Sequence, residues 1–95
     1  MATTSTQPVF IAFQDNNDTR PIIDAIMADN PNAKLNEMPA LVKIDCPGRL
    51  VVRRDTISEL AGREFDLREI YINLISLAGE VDETDEEFVL EWKTS

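Results

Sequence analysis

The chain has 95 residues, of which 43% are hydrophobic, with three glycines and five prolines. That length fits one small domain, and the composition favours a folded core over a disordered chain. Eighteen acidic residues against nine basic ones, with no histidine, give a formal net charge of −9. Nucleic acids and anionic membrane surfaces are themselves negatively charged, so this balance argues against both as partners.

The N-terminus and the single cysteine indicate where the protein works. Cys46 has no second cysteine to join, so neither an intrachain disulfide nor a cysteine-based zinc site can form. The first residues lack the basic start of a signal peptide, and their apolar run is too short to cross a membrane. We therefore expect a soluble cytoplasmic protein, with a flexible polar tail at 1–8 and one domain at 9–95.

The first predicted elements are a strand and a helix. VFIAF (9–13) is a continuous β-branched and aromatic run, typical of a strand covered on both faces. A helix then begins near Thr19, with Asn17 or Asp18 as its cap. Four apolar residues recur at helical spacing and give it one apolar face: Ile22, Ile23, Ile26 and Met27. It ends before Pro31, because the residue that precedes a proline is disfavoured in the α conformation.

Three strands are predicted next, at 34–38, 40–46 and 50–52. The alternation in ALVKIDC (40–46) places Val42, Ile44 and Cys46 on one face of the strand. It therefore predicts that Cys46 is a small buried side chain. Pro39 indicates an edge or a bend, and Pro47-Gly48 indicates a turn.

Two short helices follow, each with the spacing of a capping box. Thr56 and Glu59 predict the start of the first of these helices, and Gly62 predicts its end. Asp66 and Glu69 predict the start of the second helix.

The last elements are strands at 71–79 and 88–92, separated by an acidic segment at 80–87. Their alternation places Tyr71 and Trp92 in the core. The order β-α-β-β followed by β-α-α-β-β predicts an α+β fold: a small single domain with a largely antiparallel sheet and short helices.

The absence of histidine excludes Ser-His-Asp, Cys-His and histidine-based metal sites. The three glycines, at 48, 62 and 79, are too far apart to form the phosphate-binding loops GxGxxG or GxxxxGK[ST]. The segment 80–87 carries six carboxylates, but it lacks the glycine and the twelfth-position glutamate of an EF-hand. We interpret it as a solvated hairpin tip, and Asp55 and Glu59 as capping residues, in preference to a metal site or an acid/base pair.

Positive charge is concentrated in the middle of the chain. A nucleic-acid patch there is disfavoured by the overall acidity, which leaves contact with a partner protein or intramolecular pairing. The residues are Arg49, Arg53, Arg54, Arg63 and Arg68.

Six stretches cover nearly all of the chain after Pro8: VFIAFQDN (9–16), ADNPNA (28–33), PALVKI (39–44), GRLVVRRDT (48–56), GREFDLRE (62–69) and INLISLAGEVDETDEEFVLEW (72–92). In their order and spacing they together resemble the regulatory, or coupling, component of bacterial multicomponent diiron monooxygenases, and most of all its phenol hydroxylase type.

This resemblance implies a non-catalytic, cofactor-free subunit that docks on the α subunit of a diiron hydroxylase. It would tune oxygen activation and the coupling of NADH use to hydroxylation, with a reductase as competitor or co-component. The contact residues it implies are Gln14, Asp15, Asn16, Asn17, Asp29, Asn30 and Asn32, followed by Arg53, Arg54 and Tyr71. Turn formation alone is an equal explanation for Asn30 and Asn32.

Two other classes of function stay open on the residues alone. A β-α-β-β order also occurs in regulatory modules that hold a small apolar ligand between helices and sheet. An enzyme would need a carboxylate mechanism that no spacing in the sequence indicates.

Overall fold

A computed structural model of the protein describes residues 7–92, so most of the predicted tail lies outside the described residues. Pro8, which the sequence assigns to the tail, is the first residue of a strand. No helix in the described part is both long and apolar enough to cross a membrane. In chain order the elements are β1 (Pro8–Gln14), α1 (Arg20–Asp29), β2 (Lys34–Met38), β3 (Leu41–Pro47), β4 (Arg49–Arg53), α2 (Arg54–Ala61), a 3₁₀ helix (Leu67–Ile72), β5 (Leu74–Ala78), β6 (Glu80–Glu83) and β7 (Glu87–Glu91).

The strands form two antiparallel sheets, which confirms the predicted α+β class. One sheet has the order β2-β3-β1-β5 and the other the order β4-β7-β6. The acidic segment differs from prediction, because its first four residues form the edge strand β6 instead of part of a connection. Acidic residues are poor strand formers, so β6 depends on its pairing with β7 and on full exposure of its own side chains.

The core lies against one face of the four-stranded sheet. Val9, Ile11 and Phe13 of β1 are fully buried, and the residues that pair with them on β3 are buried as well. Cys46 belongs to this face as predicted, and burial raises the pKa of its thiol. Helix α1 contributes its predicted apolar face, whose buried members are Ile22, Ile23, Ala25 and Ile26.

The short helices show which end signals were decisive. Helix α2 begins at Arg54, directly after β4, and Thr56 makes no cap, so that prediction is wrong. Gly62 ends α2 with φ 72°, the left-handed conformation that glycine adopts without strain. The capping box of Asp66 and Glu69 is present, although it starts a 3₁₀ helix that extends through Tyr71, where the sequence predicts a strand.

The prediction that Trp92 lies in the core is also wrong. Phe88 and Leu90 are buried, but Trp92 is exposed and its indole N–H donates to the carbonyl of Pro8 at 3.1 Å. Trp92 lies beyond the last paired residue of β7, so the strand no longer fixes the direction of its side chain. Val89, on the other face of β7, is buried as well.

Asn30 joins the end of α1 to β4. Its amide nitrogen donates to the carbonyls of Ile26 (2.7 Å) and Val51 (2.8 Å), and its amide oxygen accepts from the Val51 N–H (2.9 Å). Only 7% of the residue is exposed. The side chain thus replaces a missing strand neighbour for Val51 and satisfies backbone groups at the helix end.

Replacing Asn30 with alanine should lower the free energy of unfolding by about 2 to 3 kcal/mol, because backbone groups of Val51 lose their partner. Urea unfolding monitored by circular dichroism measures this change. Asn32→Ala, in the same turn but at an exposed position, is the control and should stay within about 0.5 kcal/mol of the wild type. Equal stabilities for the two variants would contradict this account of Asn30.

Candidate docking surface

The loop between β1 and α1 is held in shape by its own hydrogen bonds. Thr19 is fully buried, and its hydroxyl oxygen lies 2.8 Å from the carbonyl of Gln14, to which it donates. The Asn16 N–H donates to that hydroxyl (3.2 Å), and the Thr19 N–H donates to the Asn16 amide oxygen (3.0 Å). Thr19 itself occupies the position before α1. The prediction that Asn17 or Asp18 caps this helix is therefore wrong.

The same loop is tied to the junction between the 3₁₀ helix and β5. The Gln14 N–H donates to the Asn73 carbonyl (2.9 Å), and the Asn16 amide nitrogen donates to the Asn73 amide oxygen (3.1 Å). A further backbone bond joins the Asp15 N–H to the Ala40 carbonyl (3.2 Å). The loop Gln14–Asn17 is therefore a preformed feature of the surface.

Three apolar side chains are exposed beside this junction, and we call them the apolar patch: Tyr71, Ile72 and Ile75. Their exposed fractions are 44%, 73% and 50%. Ile75 is the unpaired residue of an irregularity in the pairing of β5 with β1, where Ser76 pairs with Ala12 and Leu74 with Phe13. A bulge of this kind redirects a side chain, and here it leaves an isoleucine in solvent.

Tyr71 is the best anchored member of the apolar patch. Its ring meets that of Phe88 edge-on, with centroids 6.0 Å apart, and its hydroxyl donates to a Glu83 carboxylate oxygen at 2.7 Å. Partial burial, followed by the hydrogen bond and the charge of Glu83, raises the pKa of Tyr71 to about 12. The prediction that Tyr71 lies in the core is wrong, because the ring only covers the edge of the core.

The loop, Asn73 and the apolar patch together form what we call the docking surface. Sequence reasoning selected Gln14–Asn17 and Tyr71 from this set, and the structure brings them to neighbouring positions through Asn73. It missed Asn73, Ile72 and Ile75. No signal in the sequence indicates Ile75, since an isoleucine in an alternating strand is expected inside and a bulge is not visible in sequence.

The remaining candidates lie elsewhere. Asp29, Asn30 and Asn32 stand at the opposite end of α1, about 15 Å away for ten helical residues. The amide of Asn30 is used inside the molecule, whereas Asn32 is exposed. One carboxylate oxygen of Asp29 is buried without a hydrogen-bond partner among the described residues.

The arginines of the central segment are paired within the chain, which was one of the two predicted alternatives. Arg53 and Arg49 each face a glutamate directly across the β4–β7 ladder. Most of these pairs are largely exposed and contribute little to stability. The pairs are Arg49–Glu91 (3.5 Å), Arg53–Glu87 (3.5 Å), Arg54–Asp55 (3.5 Å), Arg63–Glu69 (2.9 Å) and Arg68–Asp66 (2.7 Å).

The acidic segment builds no site for a metal. Among residues 7–92, no group of three or more cysteine, aspartate or glutamate side chains could hold an ion. After β6 the chain turns at Thr84, whose hydroxyl accepts from the N–H groups of Glu86 and Glu87. The tip of this hairpin is exposed, as the sequence predicts.

Two cavities bear on the small-ligand alternative. A cleft of about 720 Å³ lies between the 3₁₀ helix and the β6–β7 hairpin, but seven of its ten lining residues are charged. A recess of about 70 Å³ lies between α1 and the sheet. Sites for small apolar molecules are mostly apolar and a few hundred Å³ in volume, so neither cavity favours that alternative.

Comparison with known proteins identifies the relatives of this fold. The pattern of the MmoB/DmpM family matches residues 7–91. The chain belongs to the MmoB/DmpM family. It is 46% identical over 85 residues to the stimulatory component DmpM of phenol 2-monooxygenase from Pseudomonas sp. (strain CF600), covering 90% of this chain and 94% of that protein.

Solved structures of the MmoB/DmpM family have the same fold. A regulatory protein in a structure of the phenol hydroxylase–regulatory protein complex is 49% identical, with a TM-score of 0.88 over 92% of this chain and 100% of that one. Regulatory protein B of soluble methane monooxygenase, 19% identical, shares the fold with a TM-score of 0.73 over 98% of this chain and 70% of its own. These names are those of regulatory components, so this member of the family is a non-catalytic component.

The pKa of Tyr71 can be measured directly, because it is the single tyrosine of this MmoB/DmpM family member. Its tyrosinate absorbance should titrate near pH 12, above the usual value of 10.0. The folded-state pKa is raised, so the stabilisation by Tyr71 is complete below pH about 10 and is lost as the pH rises toward 12.

Glu83→Gln is the informative variant for this titration. It removes the charge, so the midpoint should fall, yet stay above the usual value because partial burial, the largest cause, remains. Asp82→Asn, on the other face of β6, should leave the midpoint unchanged. A wild-type midpoint at the usual value would contradict the contact with Glu83.

Proposed function

We propose that this protein binds the diiron hydroxylase of a phenol hydroxylase-type monooxygenase and regulates its reaction. The observation that carries the proposal is the 49% identity to a regulatory protein in a phenol hydroxylase–regulatory protein complex, over the whole length of that protein. The cytoplasm, where the protein's free thiol stays reduced, is the compartment that fits.

Regulation without catalytic groups requires a difference in affinity. A protein that binds one conformation of the hydroxylase better than another shifts the population toward the first. The shift then changes how fast oxygen is activated and how much NADH is consumed for each product molecule. A reductase supplies the electrons, and it either competes with this protein for the hydroxylase or joins it there.

The docking surface has the physical properties that such binding needs. The apolar patch supplies hydrophobic area, and the polar loop Gln14–Asn17 is joined through Asn73 to the segment that carries it, so apolar and polar groups are both available, as in protein interfaces. The loop is already ordered by Thr19 and Asn73, so little conformational entropy is lost on association.

Charge contributes to the approach of the two proteins. The net charge of −9 suits a hydroxylase surface that carries basic groups, and it makes association sensitive to salt. The other residues implied as contacts, Asp29, Asn32, Arg53 and Arg54, lie outside the docking surface and would contribute as a rim. Asn30 would act there through the position of its turn.

The experiment is reconstitution with a phenol hydroxylase and its reductase. Adding this protein should raise the amount of product formed per NADH consumed, up to saturation. An unchanged yield at every ratio of this protein to hydroxylase would overturn the proposal.

The role of the apolar patch can be tested in the same assay. Ile72→Ser should raise the concentration needed for half-maximal stimulation about ten-fold, since burial of one large apolar side chain contributes about 1.5 to 3 kcal/mol. Its thermal stability should match the wild type, because Ile72 is already exposed.

Leu35→Ser is the matched control for that variant. Leu35 is another exposed aliphatic residue, but it lies on β2, the opposite edge of the sheet from β5. It should leave stimulation unchanged. Equal losses for the two variants would argue against a docking role for the apolar patch.

A further inference from the structure

We propose that Asn73 is a positioning residue of the docking surface: its side chain holds the loop Gln14–Asn17 in place beside the apolar patch. The inference rests on the proposed function, because it explains how two separate segments meet the hydroxylase as one surface. Asn73 lies in the resembling stretch 72–92, but neither its residue type nor the resemblance indicates it as a contact residue.

The position of Asn73 makes it the connection between the two segments. It lies directly after Ile72 and before β5, at the end of the 3₁₀ helix. Its side chain accepts the bond from Asn16 across 57 residues of sequence, while its backbone carbonyl accepts the bond from Gln14. Asn73 is therefore adjacent in sequence to the apolar patch, and it binds the loop through both its side chain and its backbone.

The sheet brings Gln14 beside Asn73, but its pairing does not extend into the loop that follows. Pairing of β1 with β5 is regular from Phe10 to Ala12, shifts at the bulge that contains Ile75, and resumes with Phe13 and Leu74 as the last pair. The contact between the amides of Asn16 and Asn73 lies beyond that pair, and it fixes a part of the loop that strand pairing does not reach.

The orientation of the Asn16 amide is fixed by Thr19. Its oxygen already accepts from the Thr19 N–H, so its nitrogen is the group that reaches Asn73. Removing the Asn73 side chain leaves the backbone bond to Gln14 and the buried Thr19 in place. The fold should then persist, while the loop gains freedom that must be lost again on binding.

Asn73→Ala tests this in the reconstituted system with hydroxylase and reductase. Alanine fits the backbone at this position, where φ is −113°. The concentration for half-maximal stimulation should rise about five-fold, as expected for one neutral hydrogen bond. The product yield per NADH at saturation and the thermal midpoint should stay close to those of the wild type.

Two further variants separate positioning from a general structural effect. Asn73→Asp keeps an acceptor for the Asn16 amide and should restore most of the wild-type concentration dependence. Asn36→Ala is the control, since it removes another hydrogen bond between side chains: the amide nitrogen of Asn36 on β2 donates to the carboxylate of Asp45 on β3 at 2.6 Å. This variant should have no effect on stimulation.

The outcomes distinguish this inference from the proposed function. If the wild-type protein fails to raise the yield, the proposed function is overturned and this inference with it. If the wild type stimulates and Asn73→Ala does so equally well at every concentration, only the role of Asn73 is overturned. It is also overturned if the thermal midpoint falls together with stimulation and Asn73→Asp rescues neither.

Discussion

The buried face of β1 is the constraint on which the rest of the structure depends. Val9, Ile11 and Phe13 all point to that face and are fully buried, and β1 pairs with β3 on one side and β5 on the other. A shift of one residue would turn all three side chains outward, so the register is fixed by the core. As a result Gln14 always ends the strand beside Asn73, and the docking surface forms where core packing places it.

Side-chain amides form hydrogen bonds at two places that strand pairing does not reach. Asn30 satisfies backbone groups of β4 at one end of α1, and Asn16 links the loop to Asn73 at the other end. An amide suits both places because it donates and accepts at once, which a hydroxyl or a carboxylate does less well at neutral pH. The buried amide contributes to stability, whereas the half-buried pair sets the geometry of the surface.

The sequence was sufficient for features that depend on local patterns and burial. The alternation in β3, the apolar face of α1, the left-handed Gly62 and the capping box of Asp66 each followed from neighbouring residues, and the structure has them all. The pairing of strands could not be derived in this way. It makes a strand of the acidic residues of β6, produces the bulge at Ile75, and leaves Trp92 outside the core.

The same limit applied to the docking surface. Polar loop residues and Tyr71 could be selected by residue type, because such residues are common in interfaces. Nothing local distinguishes Ile72 or Ile75 from core isoleucines, and nothing marks Asn73 as the partner of a residue 57 positions away. These three became visible only when the pairing of β1 with β5 was known.

The exposure of the apolar patch connects stability with regulation. Ile72 contributes almost nothing to the free energy of folding, because its side chain is exposed. Its hydrophobic free energy is therefore gained only when a partner covers it. Under the proposed function, that free energy would regulate the hydroxylase only to the extent that one of its conformations covers the patch better than the other. Each tenfold difference in affinity between the two conformations corresponds to about 1.4 kcal/mol, which is within the range that one buried isoleucine can supply. A rigid loop beside the patch sharpens this difference, because a preformed surface cannot adapt to the wrong conformation.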